Sequence, residues 1–200
     1  MPTQSIQIKT LYTFDELDDS AKETARQWYR EGAFDWEWWD FEDSKACGKI
    51  LGIDIDKIYF SGFASQGDGA CFEGSYSYAK GAVKAIKAYA PTDKTLHQIA
   101  EDLQSIQRRY FYQLSASVKH SGHYYHENCT EISVSDDRDG YGWDAGIEAE
   151  DAITEALRDF MRWIYRQLES EYEYINSDEA VDESILINEY TFDEEGNRDG

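Results

Sequence analysis

The residues best suited to chemistry in this sequence are carboxylates that recur at helical spacing near the C-terminus. Between Glu171 and Glu195 there are ten Asp and Glu residues and no Lys or Arg. Four of these carboxylates lie at positions i, i+1, i+4 and i+5, so a helix would hold them on one side: Asp178, Glu179, Asp182 and Glu183. Residues four apart on a helix have Cβ atoms about 5–6 Å apart, which is comparable with the spacing of neighbouring phosphates on a nucleic-acid strand. This pattern predicts electrostatic binding of a basic surface.

The partner predicted for these carboxylates is a protein that normally binds nucleic acid. Such proteins grip DNA largely with Lys and Arg, because the duplex presents about one charge per 1.7 Å of axis. Carboxylates at a similar spacing would compete for the same basic groups, and Glu171 and Glu173 extend the surface. A second patch lies in the Trp-rich run 34–43, whose aromatic residues would add apolar anchors, and its acids are Asp35, Glu37, Asp40, Glu42 and Asp43. The competing interpretation is an ordinary solvated acidic surface.

A second set of residues has the composition of a loop that positions a nucleophile. The segment 65–72 is rich in glycine and contains Asp68 and Cys71. Together with the pair His123-Tyr124, it resembles the nucleophile loop and the base of ovarian-tumour-type cysteine proteases. That resemblance implies a hydrolase with Cys71, His123 and Asp68 in its site. Ala70 stands where that family has Asn, and only 52 positions separate Cys71 from His123. A glycine-rich turn beside a buried cysteine is the competing interpretation.

Three histidines and a cysteine at intervals of three residues suggest a zinc site. They are His120, His123, His126 and Cys129. On a strand, His120 and His126 would share one face while His123 and Cys129 took the other. A tetrahedral site needs all four to converge, so we predict no metal or other cofactor and keep this set as the alternative.

The glycine-rich and histidine-rich segments both lie at predicted strand ends and could meet in space. A pocket at that place would bind a small polar ligand, and its lining would come from Gln66, Asp68, His120, His123 and Tyr124.

The elements that position these residues follow from the spacing of apolar residues. Apolar positions predict helices over about 14–32, 35–51, 82–90, 148–176 and 178–188, the second of them ended by Gly52. A further helix is predicted from the stripe of Leu96, Ile99, Leu103 and Ile106, with Thr92 or Asp93 as its cap. Alternation predicts strands over 53–60 and 71–78, a hairpin with arms over about 112–118 and 124–134, and a small edge strand at 190–192. We therefore predict an α+β fold, in which an antiparallel sheet of about four strands is packed by several helices and the chain has a long C-terminal helix.

Charge and composition indicate a folded, acidic protein. The chain has 200 residues, a net charge of −22 and 15 % aromatic residues, whereas disordered acidic chains lack aromatics. Residues 14–43 carry 11 acids and 3 bases, residues 44–135 carry 9 and 10, and residues 136–200 carry 21 and 5. We predict one domain over residues 1–193 and a disordered tail over 194–200. The absence of a long apolar run predicts a cytoplasmic protein, and the charge disfavours direct contact with nucleic acid or an anionic membrane.

Over nearly its whole length, the sequence is similar to a family of acidic proteins encoded by tailed phages and prophages, often labelled antitoxin-like. The resemblance is carried by residues 12–17, 58–63, 65–72, 118–123 and 177–183. It implies a phage protein in the host cytoplasm. With the carboxylate spacing, it leads to the hypothesis of a non-enzymatic inhibitor that binds a basic host protein or nucleoprotein complex of restriction or CRISPR type. The alternatives are the cysteine hydrolase and the small-ligand module, and the sequence leaves the oligomeric state open.

Overall fold

The computed structural model describes residues 9–32, 41–138 and 143–198. In these ranges the α-helices are α1 (Asp19–Gly32), α2 (Glu42–Leu51), α3 (Ala82–Tyr89), α4 (Lys94–Arg109), α5 (Ile147–Ile175) and α6 (Asp178–Ile187). The strands are β1 (Tyr12–Thr13), β2 (Ile53–Phe60), β3 (Ala70–Ser77), β4 (Leu114–His120), β5 (Thr130–Asp136), β6 (Trp143–Asp144) and β7 (Thr191–Phe192). A 3₁₀ turn spans Phe14–Glu16.

The predicted α+β class is confirmed, and the residues group into two compact units. The first unit combines residues 9–32 with 170–198, and the second contains residues 41–138 and 143–169. The prediction of one domain over 1–193 stays a prediction beside this division. Within the segment predicted as a tail, residues 193–198 form a turn in which Asn197 N–H donates to Asp193 Oδ1 (2.8 Å).

The first unit is built from both ends of the described chain. Strand β1 pairs antiparallel with β7, with Tyr12 opposite Phe192 and Thr13 opposite Thr191. Helix α1 begins where Asp18 Oδ1 accepts the N–H of Ala21 (2.8 Å), a side-chain cap for a backbone group that lacks a helical partner. The core of the first unit consists of Phe14, Leu17, Ala21, Ala25, Val181, Ile185 and Phe192.

The second unit is an antiparallel sheet in the order β2-β3-β4-β5-β6, packed by helices. Four strands of seven or eight residues carry it, and β6 adds a two-residue edge. Helix α2 ends at Gly52, as its sequence position predicts. Its φ of +88° is one that glycine tolerates, and an added Cβ would lie 2.1 Å from Ser77 O. Helix α4 begins at the predicted cap, where Asp93 Oδ1 accepts the N–H of Leu96 (2.9 Å).

Two predicted element boundaries need correction. Residues 14–16 are a 3₁₀ turn and Leu17 is extended, so they are not the start of α1. The second arm of the hairpin begins at Thr130, so Tyr124 and His126 lie in a loop and not on a strand. Within β3, the neighbouring residues Cys71 and Phe72 are both buried, so this end of the strand is covered on both faces. The part of the predicted helix before Phe41 lies outside the described residues.

None of the helices in the described ranges is both long enough and apolar enough to cross a membrane.

Candidate functional site

Helix α6 presents its carboxylates to solvent because its apolar residues face the core of the first unit. Val181 and Ile185 are fully buried, and the Ser177 hydroxyl caps the helix by accepting the N–H of Ala180 (3.3 Å). Glu179 and Glu183 are exposed and form no ion pair with any residue in the described ranges. The predicted helix is present, and these two of its four carboxylates are available for an external cation.

The other two carboxylates of this face are bound to α1. Asp182 accepts two hydrogen bonds from Arg26, at 2.6 Å from Nε and 2.8 Å from Nη2. Asp178 Oδ1 accepts from Arg30 Nη2 at 2.5 Å. The pairs run in opposite order along the two helices, so α1 and α6 are antiparallel where they touch. The hydrogen bonds that Arg26 donates to Asp182 raise the pKa of Arg26, despite the opposing effect of its burial.

These two ion pairs differ in what they leave for a partner. The Asp182 side chain is only 28 % exposed, whereas that of Asp178 is 66 % exposed. Asp182 therefore fixes the position of α6, while Asp178 still presents most of its carboxylate to solvent. Arg30 also donates from Nε to the carbonyl of Asn176 (3.0 Å), at the connection between α5 and α6.

The last turns of α5 add two more exposed carboxylates, those of Glu171 and Glu173. Neither forms an ion pair within the part of the chain that the structure describes. With Glu179 and Glu183 they make a set of four unpaired carboxylates, which we call the acidic surface. The described ranges of the first unit contain 16 Asp and Glu residues and five Lys and Arg residues.

The second predicted patch is only partly described. Asp35, Glu37 and Asp40 lie outside the described residues. Glu42 and Asp43 lie in the first turn of α2, in the second unit, where carboxylates interact favourably with the helix dipole. Glu42 forms an ion pair with Lys45 (3.3 Å), and Asp43 accepts the hydroxyl of Tyr89 (2.6 Å). Both side chains therefore have local roles.

In the second unit, the glycine-rich and histidine-rich loops do meet, as the pocket prediction requires. A Cβ on Gly69 would lie 2.4 Å from His126 Cβ, and one on Gly67 would lie 3.0 Å from the Tyr124 ring. The loops pack so closely that Gly69 has no room for a side chain. Asp68 closes its own turn, because its Oδ2 accepts the N–H groups of Ser65 (2.7 Å) and Ala64 (2.9 Å). The hydrogen bond from Ser65 is the main reason that the pKa of Asp68 is lowered.

The geometry gives no support for a Cys71–His123 pair. Cys71 lies within β3 and is fully buried, and this burial raises the pKa of its thiol to about 12. A nucleophilic cysteine needs the opposite shift. His123 is exposed and makes an edge contact with the Tyr124 ring at 5.3 Å between centroids, and it forms no hydrogen bond with a described residue.

The three histidines all contact Tyr124, but His120 and His126 have different hydrogen-bond partners. His120 Nε2 is 3.0 Å from the carbonyl of Tyr124, and its ring stacks on Tyr59 at 4.9 Å. The N–H of Asn128 donates to His126 Nδ1 (3.2 Å), so the proton is on His126 Nε2, which lies 3.5 Å from Cys129 Sγ. Over the described ranges, no group of three or more His, Cys, Asp or Glu side chains could hold a metal ion.

The cleft beside the loop junction has a different lining from the predicted one. Its volume is about 290 Å³, and its lining residues are Asp68, Gly69, Glu127, Arg162, Tyr165 and Arg166. Of the five residues predicted for a pocket, only Asp68 lines it. The sequence reasoning missed Arg162, Tyr165 and Arg166, which follow one another along α5 at helical spacing. The helical spacing of these three residues is visible in the sequence, but the loop that packs against this side of α5 is not.

The lining of this cleft carries two carboxylates and two guanidinium groups. Arg162 forms ion pairs with Asp159 (2.8 Å), with Glu155 and with Glu127 (3.4 Å). Burial acts to lower the pKa of Arg162, but the hydrogen bonds with Asp159 and Glu155 outweigh it, and the pKa is raised. With its charge matched by three carboxylates, Arg162 is a poor anchor for a phosphate, and exposed Arg166 is the cation that remains.

The fold places the chain among α+β proteins that contain an antiparallel sheet packed by helices. Residues 36–178 match the family described as Domain of unknown function (DUF8835), and the chain belongs to this family. The match covers the whole second unit and stops at the first residue of α6, so β1, α1 and β7 lie outside it. Comparison with curated proteins and with solved structures gave no match.

Proposed function

We propose that this protein is a non-enzymatic inhibitor that binds a basic, nucleic-acid-binding protein and occupies its DNA site by charge mimicry. The observation that carries this proposal is the acidic surface of the first unit, in which Glu171, Glu173, Glu179 and Glu183 are exposed and unpaired among the described residues. Carboxylates without internal partners are free to pair with the Lys and Arg residues that would otherwise contact phosphates.

Rigidity supports this function as much as charge does. A mimic must keep its charges in place, because ordering flexible side chains on binding weakens the complex. Arg26 and Arg30 fix α6 against α1 through Asp182 and Asp178. The unpaired Glu179 and Glu183 are thereby carried on a helix with a fixed position within the first unit.

The resemblance to phage and prophage proteins supplies the biological setting of the proposal. In a phage-infected cell, the basic partner would be a cytoplasmic host defence factor of restriction or CRISPR type. Direct binding to nucleic acid or to an anionic membrane is not part of the proposal, because the charges have the same sign.

Binding from a bacterial lysate at two salt concentrations, with DNA as competitor, tests this function. A DNA mimic should capture a nucleic-acid-binding protein at low salt, release it at high salt and lose it to added duplex DNA. Replacing the four unpaired acids by glutamine should abolish capture. The double variant Asp54→Asn/Glu131→Gln is a control, since it changes exposed carboxylates of the second unit. Capture that is insensitive to both salt and DNA would refute the mechanism.

A second candidate function is favoured by the contact between the two loops. The cleft of about 290 Å³ beside Asp68 and Arg166 suits a small ligand with both a cationic and an anionic group, because its lining carries both charges. Free amino acids are suitable probes in a thermal-shift screen. A stabilisation that Arg166→Gln removes, and that Glu179→Gln leaves unchanged, would support this site.

A further inference from the structure

A groove in the first unit lies beside the small β1–β7 sheet. Its volume is about 430 Å³, within the range of about 300–1,000 Å³ that is usual for binding pockets. Its lining residues are Thr13, Phe14, Asp15, Ile185, Leu186, Glu189, Tyr190 and Thr191. None of them belongs to the acidic surface, so the groove is a separate feature.

The groove lies on the threonine face of the small sheet, because strand residues alternate between two faces. Its apolar lining comes from Phe14, Ile185 and Leu186. Tyr12 and Phe192 are paired across the sheet and pack into the core of the unit. The next pair, Thr13 and Thr191, lines the groove. Phe14 and Ile185 are almost completely buried beneath it, while Leu186 on its wall is 42 % exposed. A large apolar side chain entering here would remove the remaining surface of Leu186 from water.

Two carboxylates stand at the rim of this groove. Asp15 and Glu189 are exposed, and neither side chain forms a hydrogen bond or ion pair with a described residue. Glu189 follows α6 with a φ of +53°, a left-handed conformation in which glycine is the usual residue. The chain therefore places a carboxylate at the groove where a glycine would be more stable.

We propose that this groove binds a lysine- or arginine-rich peptide segment of the partner, with one large apolar side chain on the groove floor and flanking cations on Asp15 and Glu189. The inference rests on the proposed function, which supplies the basic partner. It adds the place on this protein where that partner makes an apolar contact. An acidic segment, or a second copy of this chain, would bring carboxylates against Asp15 and Glu189. Charge complementarity therefore selects a basic occupant.

Two labelled peptides provide the test by fluorescence anisotropy: a short lysine-rich peptide with one central leucine, and the same peptide with alanine in its place. The leucine peptide should bind about fivefold more tightly, because it buries apolar surface in the groove. Leu186→Ala should remove that difference. The matched variant Ile187→Ala should keep it, because Ile187 is 72 % exposed and does not line the groove.

Glu189→Gly separates binding from folding. It should weaken both peptides by about threefold, the usual size for one exposed ion pair, while the urea midpoint of unfolding stays unchanged or rises. Equal affinity for the two peptides would overturn the proposal that the groove binds an apolar side chain. If salt still weakened the binding of both peptides, the proposed function would remain supported. A preference for leucine in a complex that salt does not weaken would overturn the basic occupant, because contacts with the exposed Asp15 and Glu189 should weaken with salt. Self-association that Leu186→Ala abolishes would assign the groove to a second copy and overturn the proposal.

Discussion

The pair formed by Arg26 and Asp182 allows a quantitative test of how α6 is held against α1. Its two hydrogen bonds, of 2.6 and 2.8 Å, join residues 156 positions apart. We consider the variants Arg26→Met and Asp182→Asn. Methionine preserves an apolar stem near the Phe14 ring, whose centroid lies 5.7 Å from the Arg26 guanidinium carbon.

The burial of this pair determines how much free energy of unfolding its disruption should cost. The side chains are 19 % and 28 % exposed, so the pair lies between exposed ion pairs, at about 0.2–1 kcal/mol, and buried pairs, whose disruption costs about 3–5 kcal/mol. Arg26→Met should lower the free energy of unfolding by about 2 kcal/mol, since it leaves Asp182 half-buried without its cation and close to Asp178 on the same helix. Asp182→Asn should cost only about 1 kcal/mol, because Arg26 keeps its ion pair with Glu23 at 3.3 Å.

Urea unfolding of the wild type, both single variants and the double variant at neutral pH gives the four corners of a double-mutant cycle. We expect a coupling free energy of about 1 kcal/mol, together with the stated asymmetry between the single variants. Coupling within about 0.3 kcal/mol of zero, or an Asp182→Asn variant less stable than Arg26→Met, would refute the reasoning. Asp182→Asn should also reduce capture of the partner less than Glu179→Gln does, because Asp182 is already paired.

Three further predictions concern the second unit. Gln107 is fully buried, and its side chain hydrogen-bonds to both backbone groups of Leu114 and to the Tyr76 hydroxyl. Gln107→Leu should therefore lower the free energy of unfolding by about 3 kcal/mol, measured with urea, whereas Gln98→Leu at an exposed position should lower it little. Gly69→Ala should lower the free energy of unfolding by about 2 kcal/mol, because the added Cβ would overlap His126, while Gly32→Ala, with nothing within 4 Å, should not destabilise the protein. Burial raises the pKa of Cys47 and Cys71 from 9.0 to about 12. Below pH 9 both the folded and the unfolded state keep the thiol protons, but above it the unfolded chain loses them first. The free energy of unfolding should therefore fall between about pH 9 and 12, and less steeply in Cys47→Ala.

Local patterns in the sequence predicted the elements because helices and strands depend on neighbouring residues. The stripe of Leu96, Ile99, Leu103 and Ile106 identified α4, and all four side chains are buried. The same reasoning misplaced the start of the second hairpin arm, where tyrosine and histidine alternate with polar residues in a loop. Aromatic side chains in this loop stack on each other and on the sheet, since Tyr124 stacks on His126 at 6.4 Å and Tyr125 stacks on Tyr59 of β2 at 5.5 Å.

The candidate sites were less predictable because they depend on contacts across the chain. The sequence showed the carboxylates of α6, but not that Arg26 and Arg30 would neutralise two of them. A signal for this existed: Arg26 and Arg30 are four apart, as are Asp178 and Asp182. Matched spacing of opposite charges on two helices favours antiparallel pairing, but it does not show which helices touch. The cleft beside Asp68 was missed for the same reason, since Arg162 and Arg166 come from a distant helix.

The pairing of β1 with β7 has a consequence for how the protein is made. Ribosomes add about 5–20 residues each second, so α1 emerges roughly 10–30 s before the α6 and β7 residues against which it packs. During that interval, Phe14 and Trp28 have no native partners from the C-terminal half of their core. The second unit has all its strands by residue 144 and can fold while synthesis continues. The acidic surface and the groove therefore form last, once Phe192 has been added. A chain terminated before that residue would contain the family domain without either feature complete.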